Sequence, residues 1–164
     1  MHIDGVTREV MTLKKIIYLL VFTSLLLVAC GKSAEPKEVA VDQNTNVEDI
    51  VGAIVKNEFS VDESKDGVVT ISIQDTDVTE GSKSQMLKDS TKIFADLSKL
   101  KNVKTPAITW YAPLTEPDGD KTMTEVLNIY FSEEDFHKID WANYLQVDIE
   151  SSATNYHEDE ALED

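Results

Sequence analysis

The composition describes an acidic chain that can fold without a disulfide bond. The 164 residues include 31 acidic side chains, 15 basic side chains and a single cysteine, giving a formal net charge of −16 at pH 7. This charge repels nucleic acid phosphates and anionic lipid headgroups, so the composition argues against direct binding to either. The length suits one domain with an added terminal segment. We interpret the charge as a contribution to solubility, with an acidic docking face as the alternative.

The N-terminal region has the order of features found in a secretory signal. Lys14 and Lys15 precede the apolar stretch 16–29, which is shorter than the roughly 20 residues that a membrane-spanning helix needs. The stretch leads into four residues, Leu27, Val28, Ala29 and Cys30. The pattern resembles a bacterial lipoprotein signal peptide, in which these four residues form the lipobox. We therefore expect residues 1–29 to be removed as a signal peptide.

The resemblance makes Cys30 the lipidated first residue of the mature protein. Its thiolate is the nucleophile that can be alkylated to a thioether carrying a diacylglycerol. Two acyl chains of the palmitate type anchor a protein stably, whereas one chain binds a membrane only marginally. The implied location is the extracytoplasmic face of the cell membrane, with the lipid anchor as the contact with the membrane. The alternative is a small buried thiol that happens to follow a signal sequence.

The next segments predict a tether and the first half of a domain. Residues 30–45 are polar and mixed in charge, which is typical of a flexible tether. Apolar residues then recur on one helical face, with Asn46 as the N-cap: Val47, Ile50, Val51, Ile54 and Val55. Alternation over Val68–Gln74 predicts a strand. Phe59 and Val61 predict a partner strand across the turn 65–67.

A second helix and a second hairpin follow. The helix is predicted over 82–101, because its apolar residues share one face, and Pro106 excludes its continuation. Strands are predicted over 107–112, with Trp110 facing inward, and over 123–131. The segment 117–120 between them reads Pro-Asp-Gly-Asp, which is turn chemistry.

The C-terminal part predicts a short third helix and a loose end. Ser132 and Asp135 match a capping box, which opens the helix. Trp141 and Tyr144 are expected to pack against the sheet. We expect a frayed, solvated end over 151–164, so that the domain covers residues 46–156 and an acidic tail covers the rest, 157–164.

These elements predict an α+β fold. The order α-β-α-β-β-α, with one extra strand from the first hairpin, suits a two-layer sandwich of about three helices on a small three- to four-stranded sheet. If the strands that flank the second helix are parallel, their crossover is right-handed.

The sequence contains little that indicates catalysis or nucleotide binding. It has neither a nucleophile elbow nor a glycine-rich phosphate loop. His137 follows three acidic residues on the predicted third helix, where a surface histidine explains it better than a general base does. We therefore predict that the protein is not an enzyme and name no catalytic residue.

One segment allows a calcium hypothesis. Asp62, Ser64 and Asp66, followed by Gly67, match the first half of an EF-hand loop. The twelfth position is Ile73, where a bidentate glutamate would be required. A hairpin turn explains the same residues, so calcium binding is the less favoured interpretation and no other cofactor is predicted.

Aromatic residues offer a second hypothesis for binding. Five of them could line a groove, although ordinary filling of the core and the strands explains their spacing better: Trp110, Tyr111, Tyr130, Trp141 and Tyr144.

The function predicted from these features is binding in the bacterial cell envelope. The segments 138–141, 156–157 and 161–162 resemble the end of small uncharacterised lipoproteins from Gram-positive bacteria, a resemblance that adds only to the location. We expect a non-catalytic module with an envelope protein as partner. The alternatives are a lipoprotein that binds a small ligand or calcium and, third, a hydrolase that acts on wall material through paired acids.

Residues 1–10 do not fit a signal peptide. Asp4 and Glu9 are acidic where the start of a signal should be basic, whereas Met11 opens a basic stretch. We therefore predict that translation starts at Met11. Mass spectrometry of the uncleaved precursor tests this, and a peptide that contains the segment 2–8 contradicts it.

Overall fold

The computed structural model describes residues 40–162 as an α+β domain. The predicted signal peptide, the predicted lipobox with Cys30 and most of the predicted tether lie outside the described residues. Four α-helices and five strands are found, with short 3-10 helices at Trp141–Gln146 and Glu160–Leu162. Among these residues, no helix has the length and apolar content needed to cross a membrane. The elements are α1 Val47–Ile54, β1 Glu58–Glu63, β2 Val68–Gln74, α2 Ser82–Leu97, β3 Thr105–Thr115, β4 Lys121–Tyr130, α3 Glu133–Lys138, α4 Ile149–Ser152 and β5 Asn155–Glu158.

The two capped helices begin where the sequence predicts. The Asn46 side chain accepts a hydrogen bond from the Glu48 N–H at the start of α1. The Ser132 side chain accepts one from the Asp135 N–H at the start of α3. Each bond satisfies a backbone donor that has no partner inside the helix. Helix α2 ends at Leu97 and not at residue 101, because the chain turns there through a bond from the Leu100 N–H to the Leu97 carbonyl.

The five strands form one mixed sheet in the order β1-β2-β3-β4-β5. All neighbours are antiparallel except β2 and β3, which are parallel and joined through α2. The pairing places Ile71 beside Ile108 and Ile73 beside Trp110. The register of β3 with β4 shifts between Trp110 and Tyr111, which makes Val126 the extra residue of a β-bulge in β4. Val126 and the next residue, Leu127, are therefore both fully buried. The predicted α+β class is confirmed, but the sheet has five strands where three to four were predicted.

The core lies between one face of the sheet and the helices. The Trp110 indole N–H donates to the Ser90 hydroxyl at 2.9 Å, which joins β3 to α2 without leaving a buried donor unpaired. A second group of aromatic rings has centroids 5.0–6.4 Å apart and consists of Phe94, Phe131, Phe136 and Trp141. Trp141 is buried in this group, in contact with Phe94 of α2, and the Tyr144 ring lies 5.7 Å from the Lys92 ammonium on α2.

The predicted frayed end is wrong for residues 155–162. The segment Asn155–Glu158 is an edge strand that pairs with β4 from Leu127 to Tyr130. Beyond it, Leu162 is 3% exposed and belongs to the core. The acidic composition suggested a solvated end, but alternate residues of β5, Tyr156 and Glu158, are half-buried, as strand alternation requires.

A turn glycine provides a test of the β1–β2 hairpin. Gly67 has φ +85° and is buried, and a Cβ there would lie 2.6 Å from the Asn102 carbonyl oxygen. We expect Gly67→Ala to lower the free energy of unfolding by about 2–3 kcal/mol, from left-handed strain plus the steric contact. Gly119→Ala is the matched control, since Gly119 has φ +92° with no atom within 4 Å of its Cβ. Urea unfolding of both variants measures this, and equal losses would contradict it.

Candidate binding face

Strand alternation gives the sheet a second face, opposite the helices. In β2, Val69, Ile71 and Ile73 are buried toward the helices, whereas Thr70 and Gln74 are exposed on the other side. We call this second side the outer face. Its members are Glu58, Ser60 and Asp62 of β1, Val68, Thr70, Ser72 and Gln74 of β2, Thr105, Ala107, Thr109, Tyr111 and Pro113 of β3, Lys121, Met123, Glu125, Asn128 and Tyr130 of β4, and Asn155 and His157 of β5.

A row of polar side chains without negative charge crosses the outer face. The register places five residues side by side, one on each strand: Ser60, Ser72, Thr109, Asn128 and His157. The Asn128 amide donates to the Thr109 hydroxyl at 2.9 Å. Thr109 is buried, so the hydrogen-bonding groups of this row that a partner could reach are the hydroxyl, amide and imidazole groups of the other four residues, which can both donate and accept.

Two tyrosines lie on either side of the central Thr109–Asn128 pair. Tyr111 follows Thr109 by two residues on β3, and Tyr130 follows Asn128 by two residues on β4, which runs in the opposite direction. Both rings are half-buried. Their Cα atoms are about 14 Å apart by the usual rise and spacing of strands. Each ring offers apolar area together with a hydroxyl, which is why tyrosine is frequent where proteins bind partners.

Exposed apolar side chains concentrate on the same face. Among residues 40–162, three large hydrophobic side chains are exposed, and two of them, Val68 at 42% and Met123 at 45%, belong to the outer face. They lie on different strands, near opposite ends of the sheet. The third, Leu145, is 81% exposed and lies beside a groove of ≈ 270 Å³ along α2. Isolated exposed apolar residues are normal, so Val68 and Met123 add apolar area to the outer face without forming a continuous patch.

The five predicted aromatic residues do not line one groove. Trp110 and Trp141 are buried, and both indole N–H groups are bonded, Trp141 to the Phe136 carbonyl at 2.8 Å. Tyr144 lies on α2. Only Tyr111 and Tyr130 share a surface. Because successive side chains of a strand point to opposite faces, the inward position predicted for Trp110 also predicts an outward position for its neighbour Tyr111.

The candidate calcium residues form a hairpin connection. Asp62 lies in β1 beside Thr70, while the Ser64 hydroxyl oxygen accepts hydrogen bonds from the N–H groups of Asp66 and Val68 at 3.3 and 3.2 Å. Ile73, at the twelfth position of the motif, is buried in β2. Within the part of the chain that the structure describes, no group of three His, Cys, Asp or Glu residues is arranged to hold a metal. Calcium binding stays a prediction.

The candidate histidine is bonded to its own helix. His137 is exposed, and its Nδ1 lies 2.7 Å from the Glu133 carbonyl oxygen one turn earlier in α3. A ring nitrogen that bonds the backbone carbonyl is the donor in that tautomer. This geometry agrees with the interpretation as a surface histidine.

A polar network that the sequence did not reveal holds β5 in place. The Lys83 ammonium at the start of α2 lies 2.8 Å from a Glu158 carboxylate oxygen and 3.5 Å from Glu150. The Tyr156 hydroxyl donates to the same Glu158 carboxylate. Burial raises the pKa of Tyr156 above its usual range, so the phenol stays protonated and is a donor. The only signal for this strand in the sequence was the spacing of Tyr156 and Glu158, two residues apart, which places both side chains on one face of an extended chain.

A second contact fixes the start of β5. The Thr154 hydroxyl donates to the Asp135 carboxylate at 2.6 Å and accepts from the Ser132 N–H at 2.8 Å. The hydrogen bond from the Thr154 hydroxyl lowers the pKa of the Asp135 carboxyl most, and the hydrogen bond from the Ser132 hydroxyl lowers it next. Both hold this pKa below its usual value. The capping box of α3 therefore also positions the last strand of the sheet.

Comparison of the chain with protein-family models, with curated proteins and with solved structures finds no match.

The β5 network predicts a dependence of stability on pH. Hydrogen bonds to the Glu158 carboxylate hold its pKa below the usual value of 4.5. The bond from the Lys83 ammonium has the largest effect, and the bond from the Tyr156 hydroxyl has the next largest. A lowered pKa stabilises the fold above about pH 4.5, and this contribution is lost as the pH falls through the lower folded-state value. We expect Glu158→Gln to lower the free energy of unfolding by about 0.5–1 kcal/mol at pH 7 and by less at pH 3.

Urea unfolding at the two pH values measures the difference. Glu63→Gln is the control, because it removes the same charge at the exposed end of β1. An equal loss at pH 7 and pH 3 in the Glu158 variant would contradict an electrostatic origin.

Proposed function

We propose that this protein is a lipid-anchored, non-catalytic binding module on the extracytoplasmic face of the bacterial cell membrane, with an envelope protein as its partner. The observation that carries the proposal is the composition of the outer face. Its centre is uncharged and polar, Tyr111 and Tyr130 lie on either side of that centre, and Met123 lies further along β4. Interfaces between proteins share this composition, since charged residues are depleted at their centre and tyrosine and methionine are enriched.

The anchor and the domain divide the work of locating and binding. Cys30, alkylated by a diacylglycerol, places the protein at the membrane, and the segment 30–45 separates it from the folded part. The end of that segment already belongs to the folded part, since Val41 packs against the core before helix α1 begins after the cap residue Asn46. The outer face is then available to a neighbour in the envelope, while the helices cover the other side of the sheet.

We assign no reaction to the central pair of the outer face. This pair, Thr109 and Asn128, consists of a hydroxyl and an amide that bond each other. Such groups recognise partners through hydrogen bonds and carry no proton that titrates near neutral pH.

Photocrosslinking in living cells tests the proposal. A photoreactive amino acid replaces Thr70, which is exposed on the outer face, or Gln85, which is exposed on α2. We expect a covalent product with an envelope protein from position 70 and much less from position 85, because the partner covers only the outer face. Immunoblotting and mass spectrometry of the membrane fraction measure the product.

The same cells test the anchor. Cys30→Ser, which removes the alkylated thiol, should move the protein out of the membrane fraction and reduce the product from position 70. Equal products from positions 70 and 85, or none from position 70, would contradict binding through the outer face. A Cys30→Ser protein that stays in the membrane fraction would contradict the lipid anchor.

A further inference from the structure

The charges of the outer face lie at its edges. On the β1 side, Glu58 and Asp62 are exposed at the edge of the sheet, beside Gln74 and Thr70 of β2. Between this edge and β4, the strands β2 and β3 present only uncharged residues on the outer face. The acidic side chains therefore border an uncharged centre on one side.

The end of the outer face at the β3–β4 turn forms a second acidic edge, whereas β5, the strand opposite β1, presents Asn155 and His157. Strand β5 pairs with β4 only from Leu127 to Tyr130, so the first half of β4 forms a two-stranded ribbon with β3. Glu125 lies on the outer face of that ribbon, and Lys121 is the basic residue there. Three further acids, Glu116, Asp118 and Asp120, surround the turn that joins the two strands.

This distribution restricts the chemistry of a partner. An anionic surface is repelled by both acidic edges and by the chain's net charge of −16. A cationic centre would be desolvated against hydroxyls and an amide without a counter-charge, which is unfavourable. A surface with an uncharged centre and basic residues around it satisfies both conditions, because potentials of opposite sign then meet at the rim.

We propose that the partner is a protein whose contact surface has an uncharged centre and a basic rim, and that the acidic edges of the outer face attract it. This inference rests on the proposed function, since it names the kind of partner that the outer face binds. Glu58 and Asp62 raise the rate of association, and the central residues with Tyr111 and Tyr130 determine how long the complex lasts.

The photocrosslinking experiment in living cells also tests this inference, because the yield of the covalent product can be measured whatever the partner is. The photoreactive residue stays at position 70, and Glu58→Gln is combined with Asp62→Asn in the full-length chain. We expect the yield of the product to fall about fivefold at low salt, since each exposed charge contributes modestly. The yield of the unaltered chain should also fall as external salt is raised, because salt screens the rim.

The matched control removes two negative charges elsewhere. Glu48 and Asp49 are exposed in the first turn of α1, so Glu48→Gln with Asp49→Asn changes the net charge equally without altering the outer face. We expect its yield to match that of the unaltered chain. Tyr111→Ala should lower the yield at every salt concentration, because it removes contact area and not charge.

The outcomes separate this inference from the proposed function. A product that is unchanged by the Glu58 and Asp62 pair, or reduced equally by the Glu48 and Asp49 pair, overturns the basic rim but leaves the binding face. A product that contains a glycan and no protein overturns the inferred partner. The absence of any product from position 70 overturns the proposed function itself.

Discussion

The parallel pairing of β2 with β3 across helix α2 is the constraint on which the other elements depend. Each of these strands belongs to a hairpin, so their pairing joins two antiparallel hairpins into one sheet. The crossover helix covers one face of that sheet, and the bond between the Trp110 indole and the Ser90 hydroxyl fixes its position over β3. A tryptophan in the core with a bonded N–H favours one arrangement of helix and strand, because any shift would leave a buried donor unpaired. Among residues 40–162, no helix covers the other face of the sheet.

The return of the chain to the sheet depends on contacts distant in sequence. Three aromatic rings from the chain after β4 pack around Phe94 of α2: Phe131, Phe136 and Trp141. This packing brings the chain after β4 back across the helix. The chain then reaches the free edge of β4, where Thr154 bonds the capping box of α3. Lys83 bonds Glu158 at the other end of the strand. An edge strand of four residues has few ladder bonds, so these side-chain contacts supply part of its stability.

Local patterns predicted the elements that local forces determine. The caps Asn46 and Ser132 and the alternation in β2 depend on neighbours within a few residues, and all three are confirmed. Strand β5 was missed because its pairing with β4 and its bond to Lys83 join residues far apart in sequence, while its composition is that of a solvated end. The outer face was missed for a related reason. Its central row takes one residue from each of five strands, and only the register brings Ser60 and His157 onto one line.

The arrangement of charge suggests how an acidic domain can bind selectively while tethered to a membrane. Anchoring through Cys30 would confine the domain to one surface, which raises its effective concentration toward any partner held at that surface. A face of moderate affinity is then sufficient, and the centre of the outer face, with two half-buried tyrosines and a hydrogen-bonded pair, has the character of such a contact. Selectivity must come from elsewhere, because hydroxyls and amides accept many polar partners. In the proposed setting, the acidic edges would supply it by repelling the anionic surfaces that an anchored domain would otherwise meet most often beside a membrane.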